Sequence, residues 1–178
     1  DAVPEIIDVV YVVNDCSTDS TADAVRQKAV GDPRIVLVDH ATNQGVGQGI
    51  ITGYRRASED QCDLCVVTGG DHQMPMEQIP ALLDPLIDGK ADYSKGNRFL
   101  MPDDGLDDMP WSRMLPNAMI SFMTKMASGY YKIFDVVDGF TAITRRAIDL
   151  VDWDSAWKGY GYPMDFLVRL NAYGLRVV

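Results

Sequence analysis

The chain has 178 residues, of which 47% are hydrophobic and 24% charged, with no low-complexity tract or repeat. That is enough for one domain with a sizeable core, and it excludes a disordered or fibrous class. The net charge of −10 comes from 26 acidic residues, of which only Glu5, Glu59 and Glu77 are Glu, against 16 Lys and Arg without a basic run. It excludes a nucleic-acid partner, which would need clustered cations.

Ile6 to Asn14 (IIDVVYVVN) is a continuous β-branched run, as expected of a parallel strand covered on both faces. The polar stretch CSTDST follows, where Ser17, Thr18 or Asp19 can cap a helix through about Lys28. Asp32-Pro33 turns the chain into a second strand, Arg34 to Asp39, and Asn43 to Gly53 opens a helix reaching about Ser58. Leu64 to Thr68 reads as a third strand ending at GGDHQM, Pro75 to Asp88 as a helix and Asp92 to Arg98 as a fourth strand. Met101 to Met109 is an acidic loop, Trp111 to Gly129 an amphipathic, Met-rich helix, and Gly139 to Thr144 a short strand. Tyr162 to Tyr173 reads as a helix and Leu175 to Val178 as the start of a last strand. The alternation predicts a single α/β domain over residues 1–178, with a doubly wound, mostly parallel sheet flanked by helices. No run of 18 apolar residues and no signal-peptide pattern appears, while the abrupt start and the end inside a strand read as a piece of a longer protein.

Ligands of such sheets bind beyond the carboxyl ends of the strands. NDCSTD, GGDHQM and GNR all fall there. Asp71 and Gln73 offer carboxylate and amide oxygens to a hard cation, Mg²⁺ or Mn²⁺, that would bridge a diphosphate; the competing reading makes Asp71 a helix cap. Arg98 is placed to grip phosphate oxygens with two parallel hydrogen bonds, and Lys95 is a weaker candidate on the same strand. Gly45, Gly47 and Gly49 fail the G-x-G-x-x-G fingerprint at Ile50 and instead suit tight packing of helix on strand. His40 reads as a surface residue at a strand end, and His72 lies between the two metal candidates. Cys62 and Cys65 have C-x-x-C spacing but lead into a strand, so they read as buried thiols.

VVNDCSTDST, NQGVGQGIITGYRRA, ADYSKGNRF, DVVDGFTAI and GYGYPMDFLVRLNAYGLRVV together resemble, in order, the family 2 glycosyltransferases, above all the dolichol-phosphate mannosyltransferase-like and polyprenyl-phosphate sugar transferase branch. The resemblance implies a GT-A fold whose N-terminal strand is missing here. It also implies an inverting transfer from a UDP- or GDP-linked sugar to a polyprenyl or dolichyl phosphate or a growing glycan. By position, Asn14, Asp15, Ser17, Asp19, Gly70, Lys95 and Arg98 would line the nucleotide diphosphate, and Asp71 and Gln73 the metal. Asp138 or Asp135 would face the sugar or acceptor, and Asp165 would stand near the reacting centre as the base for a hydroxyl acceptor. Gly69 replaces the first acidic residue of the family's D-x-D. The missing strand would leave an open sheet edge, implying weak activity and a homodimer through that edge. The implied place is the cytoplasm, at the cytoplasmic face of a membrane, with the Met-rich helix a candidate lipid-facing surface. A catalytically weak sugar-nucleotide-binding domain and a nucleotidyltransferase of similar fold are the alternatives.

Overall fold

The computed structural model describes residues 3–71, 73–96, 126, 129–130, 136 and 138–178. The predicted acidic loop, nearly all of the Met-rich helix, and His72, Arg98 and Asp135 lie outside them.

Strand β1 spans Val10–Asn14 and pairs in parallel with β2, Ile35–Asp39, in the register Val10 to Ile35 and Asn14 to Asp39. The strand begins later than its apolar run because residues 4–7 form a turn, closed by the Ile7 N–H on the Pro4 carbonyl (3.1 Å). The Arg34 guanidinium holds that turn through the carbonyls of Pro4 and Ile7, both at 3.1 Å.

Between the two strands, helix α1 (Thr21–Gly31) buries no residue and lies on the surface. Helix α2 (Val46–Glu59) buries Gly47, Ile51, Tyr54 and Ala57 at positions three to four apart, the spacing of one helix face. It packs on β1 and reaches β3, Leu64–Val67. A short 3₁₀ turn at Met76–Gln78 leads into α3 (Ile79–Ile87), and β4 follows at Tyr93–Lys95.

Strand β5 (Thr141–Thr144) lies between β3 and β4 and runs antiparallel to both. Its side chains alternate between two cores, as the two-residue period of a strand requires. Ala142, with Leu64 and Val66 of β3, faces α3; Ile143, with Cys65 and Val67, faces the other side. There helix α4 (Arg145–Leu150), which the sequence reading lacks, and helix α5 (Tyr162–Ala172) complete the larger core. Thr144 ends the strand and caps α4, its Oγ1 accepting the Ala147 N–H at 3.3 Å. Tyr54, Trp153, Phe166 and Tyr162 form a chain of tilted and edge-on rings with centroids 4.8 to 5.3 Å apart along successive contacts. Val177 makes a single parallel bridge to Tyr93, the start of the expected last strand.

With helices on both faces the architecture is α/β, as the alternation of elements predicts. Among the described residues the strands fall into two groups, β1–β2 and β3–β5–β4, and the outer edges of β1 and β3 pair with nothing. The residues of both strands are only half-buried apart from Asn14, whereas Thr141, Ala142 and Ile143 of β5 are fully buried. Cys65, in β3, has its thiol pushed up to about 12 by burial, with Cys62 adding to it. That suppresses the thiolate a redox pair would need, although Cys62 and Cys65 are both half-buried rather than buried as the sequence predicts.

Candidate functional site

Because β5 is antiparallel to β3 and β4, its entry loop arrives where those two strands leave: Thr141 stands opposite both Val67 and Lys95. Strand order therefore gathers the turn after β3, the end of β4 and the Asp138–Phe140 segment at one edge.

Asp138 is buried, and its Oδ1 accepts the Phe140 N–H at 3.0 Å. Lys95 Nζ donates to the Asp138 carbonyl oxygen, so this cation, a diphosphate candidate from the sequence, is tied to the Asp138 segment. Gly96 is required by the same approach: a Cβ there would stand 2.9 Å from Asp138 Oδ2 and 3.1 Å from the Phe140 ring. Met74 links the turn after β3 to this segment. Its Sδ accepts the Gly69 N–H at 3.1 Å, and its Cε would meet a Cβ at Gly139 at 3.3 Å. The Tyr162 hydroxyl would stand 3.0 Å from that same Cβ, so α5 brings a phenol to the site. Burial, with the Asp138 charge adding, pushes this phenol up to about 12, which keeps it a proton donor at neutral pH.

Asp71 and Gln73 lie exposed on the turn, and the Gln73 N–H donates to Asp71 Oδ1 at 3.3 Å. The Asp71 carboxylate folds over Gly69, its Oδ1 2.8 Å from where a Cβ there would be. Asp71 thus occupies the space beside the position that lacks a carboxylate. The Asp71 carboxylate and the Gln73 amide carry oxygen atoms of the hard kind that Mg²⁺ or Mn²⁺ prefers. Among the described residues no three His, Cys, Asp or Glu side chains group into a metal-holding set. Gly70 has open space around it, as a backbone approached by a ligand needs.

The loop after β1 is largely satisfied from within. Asn14 donates to Asp39 Oδ1 (2.8 Å) and accepts the Ser17 N–H (3.2 Å). Asp19 accepts both the Thr21 N–H (3.0 Å) and its hydroxyl (2.5 Å), which holds its carboxyl below the usual range. Asp19 therefore braces the turn into α1, but the helix's N-cap is Ser20, which makes no side-chain cap bond, so none of Ser17, Thr18 and Asp19 is the cap the sequence predicts. Asp15 accepts the N–H groups of Gln44 (2.9 Å) and Gly45 (2.8 Å) and a hydrogen bond from His40 Nδ1 (2.7 Å). Burial works to raise the Asp15 carboxyl, and the bonds from His40, Gln44 and Gly45 outweigh it, leaving the pKa below the usual carboxylate value. His40, expected on the surface, has a side chain only 7% exposed.

Asp165 sits in the first turn of α5, but its Oδ2 is committed to Arg169 Nε (2.6 Å) and the Trp157 N–H (3.0 Å). The structure thus brings Asp71, Gly70, Lys95 and Asp138 to one edge, while Asp15 and Asp165 tie loops together. Tyr162 was missed by sequence reasoning; its only signal was its place in GYGYP, ahead of α5.

The model of the glycosyl transferase family 2 matches residues 6–151. An undecaprenyl-phosphate mannosyltransferase of Micrococcus luteus is 33% identical over 181 residues, covering 100% of this chain and 71% of that protein. A polyprenol monophosphomannose synthase of Mycolicibacterium smegmatis is 27% identical, covering 95% of this chain and 63% of that protein. The chain thus spans about two thirds of the length of these relatives. Among solved structures, glucosyl-3-phosphoglycerate synthase of Mycobacterium tuberculosis, determined with Mn²⁺, uridine diphosphate and glucosyl-3-phosphoglycerate, superposes with a TM-score of 0.67 at 16% identity. That match covers 96% of this chain and 57% of the synthase, and it supports the fold.

Proposed function

The chain belongs to glycosyl transferase family 2, and from that premise we propose that it transfers a sugar from a UDP- or GDP-linked donor to a polyprenyl phosphate, with inversion at the anomeric carbon. The observation that carries this reading is the convergence of the Asp71 turn, Gly96 and Asp138 at one sheet edge. The names of the Micrococcus and Mycolicibacterium relatives support the lipid-phosphate acceptor.

In such a transfer a phosphate oxygen of the acceptor forms a bond to the anomeric carbon while the bond from that carbon to the diphosphate breaks, its electron pair leaving with the diphosphate. The acceptor is already an anion, so no strong base is required; positioning and charge neutralisation supply the catalysis. Asp71 and Gln73 would hold Mg²⁺ or Mn²⁺, which would supply charge neutralisation for the departing diphosphate. Tyr162 offers a neutral hydroxyl beside the Asp138–Gly139 segment, fit to hydrogen-bond a sugar or phosphate oxygen. Arg98 and Asp135 are kept as diphosphate and acceptor contacts on the resemblance alone. For a glycan hydroxyl the acceptor proton would need a carboxylate. Asp138 stands at the edge with the Asp71 turn, whereas Asp165 Oδ2 is tied to Arg169 and the Trp157 N–H.

The acceptor lipid places the reaction at a membrane surface, on its cytoplasmic face where nucleotide sugars are made. Among the described residues no helix is long and apolar enough to cross a membrane. The test is to incubate the chain with GDP-mannose or UDP-sugars, undecaprenyl phosphate in detergent and Mn²⁺, and to identify products by mass spectrometry. Sugar-phosphate-lipid and free nucleoside diphosphate are expected from the parent and not from Asp71→Ala. Released pyrophosphate would instead establish a nucleotidyltransferase. The fold of Asp71 over Gly69 favours one second reading, a domain that binds sugar nucleotides with little turnover. Calorimetric binding of UDP or GDP without any transfer product would establish it.

A further inference from the structure

His40 follows β2 directly, at the edge where the candidate site lies, yet its imidazole is buried and bonded at both nitrogens. Nδ1 is 2.7 Å from Asp15 Oδ1 and Nε2 is 2.9 Å from Thr52 Oγ1, on α2. An ionised carboxylate only accepts, so Nδ1 carries a proton, and in the neutral ring Nε2 accepts from the Thr52 hydroxyl. The ring is thereby fixed between α2 and the end of β1.

Asp15, held in this way, uses both carboxylate oxygens on the turn before α2: Oδ1 accepts Gln44 N–H and Oδ2 accepts Gly45 N–H. The Asn43 side chain adds a bond to the Asp15 carbonyl at 3.3 Å. Just beyond this turn, the Gly47 N–H donates to the Lys158 carbonyl at 2.7 Å. A Cβ at Gly45 would stand 2.6 Å from that carbonyl oxygen, and one at Gly47 would stand 2.7 Å from the Trp157 carbonyl oxygen. The two loops are therefore in backbone contact, which glycine alone permits. The second loop is anchored in turn, with the Trp157 N–H on Asp165, the Tyr162 N–H on the Gly159 carbonyl at 3.1 Å, and Lys158 Nζ on the Trp153 and Asp154 carbonyls. It delivers Tyr162 to the Asp138–Gly139 segment.

We propose that His40 is a positioning residue that acts through Asp15, locking the 43–47 turn after β2 against the 157–161 loop so that both are set around the transfer site. The inference rests on the transferase reading for its functional meaning and on hydrogen bonds alone for its physical content.

The experiment compares His40→Ala, His40→Asn and Thr52→Ala with the parent by amide hydrogen exchange and by calorimetric titration with UDP and GDP in Mn²⁺. Losing a charge-assisted bond of this kind is expected to speed exchange about tenfold at Gln44, Gly45 and Gly47 and also at Trp157 and Tyr162 in His40→Ala. His40→Asn keeps a donor toward Asp15 and is expected to restore most of the protection at both loops. Nucleotide affinity is expected to fall about tenfold in His40→Ala and to recover in His40→Asn. Should His40→Ala fail to fold, Thr52→Ala leaves the ring in place, frees Nε2 and is expected to show a smaller change of the same pattern. Faster exchange confined to residues 44–47, with 157–162 unchanged, overturns the proposal, as does an unchanged pattern in both variants. A parent that binds neither nucleotide refutes the transferase reading, while the exchange pattern still decides the coupling.

Discussion

At Asp71 a single carboxylate stands where the family motif has two, and its neighbourhood shows how the chain accommodates that. The side chain folds into the space beside Gly69, where a Cβ would come within 2.8 Å of Oδ1. The obstructing atom is the end of a flexible side chain, so Gly69→Asp is expected to fold, turn Asp71 outward and bind Mn²⁺ roughly tenfold more tightly, because affinity follows ligand charge. Calorimetric Mn²⁺ titration of the parent and Gly69→Asp measures this; equal affinities would count against a metal at this turn. Gly47 is the opposite case, since its would-be neighbours are the backbone carbonyls of Trp157 and Lys158 at 2.7 and 2.9 Å, which cannot swing away. Gly47→Ala is expected to cost about 1–3 kcal/mol in urea unfolding, as overpacking does. Gly31→Ala, with open space around it, should cost far less. Such differences among glycines are invisible in NQGVGQG, where spacing alone pointed to the strand as the partner. Gly49 does meet Val13 there, at an ordinary 3.9 Å.

Among the elements, β4 and the chain end are joined by Asp92. Its carboxylate accepts from Arg176 N (2.9 Å), from Arg176 Nε (3.1 Å) and from Arg146 (3.1 Å). Burial acts to raise the Asp92 carboxyl, but the bonds and charges of Arg176 and Arg146 prevail and hold it below the usual value. The folded-state pKa is thus lower than the unfolded one, so the stabilisation is fully present above about pH 4 and is lost as pH falls through the folded value. Asp92→Asn is expected to lower stability by about 2 kcal/mol at pH 7, with the gap to the parent closing as the pH approaches the folded-state pKa. Denaturant melts across that range check it; a gap independent of pH would show that the charge is not what acts. The buried Asp92 was legible only as the start of a strand, because its two arginine partners lie 54 and 84 residues away in sequence.

On the scale of the whole molecule, the open edges of β1 and β3 face no strand among the described residues, while α2 packs on both. Val10 N–H donates to the carbonyl of Arg34, just before β2, so in a parallel ladder the N–H groups of Tyr11 and Val13 point to the open side. An unpaired edge of this kind is a template for another strand, and the 178-residue chain is expected to self-associate through it. Light scattering after size exclusion should show a dimer at micromolar concentration. Tyr11→Pro, which removes an outward N–H without touching the β1–β2 ladder, should shift it to monomer, and Tyr11→Phe controls for the lost Tyr11–Asp60 hydrogen bond. A monomeric parent would sink this expectation.

The sequence by itself determined the α/β class, the order of most elements, the placing of polar clusters at strand ends and the family, because apolar period and short motifs are local properties. It did not determine that β5 enters antiparallel between β3 and β4, nor that Asp138, Gly96, Met74 and Tyr162 meet. It also left open that Asp15 and Asp165 spend their oxygens on neighbouring loops. Those outcomes depend on which strands become neighbours and which backbone groups need partners once water is excluded, and only the tertiary structure brings such distant groups together.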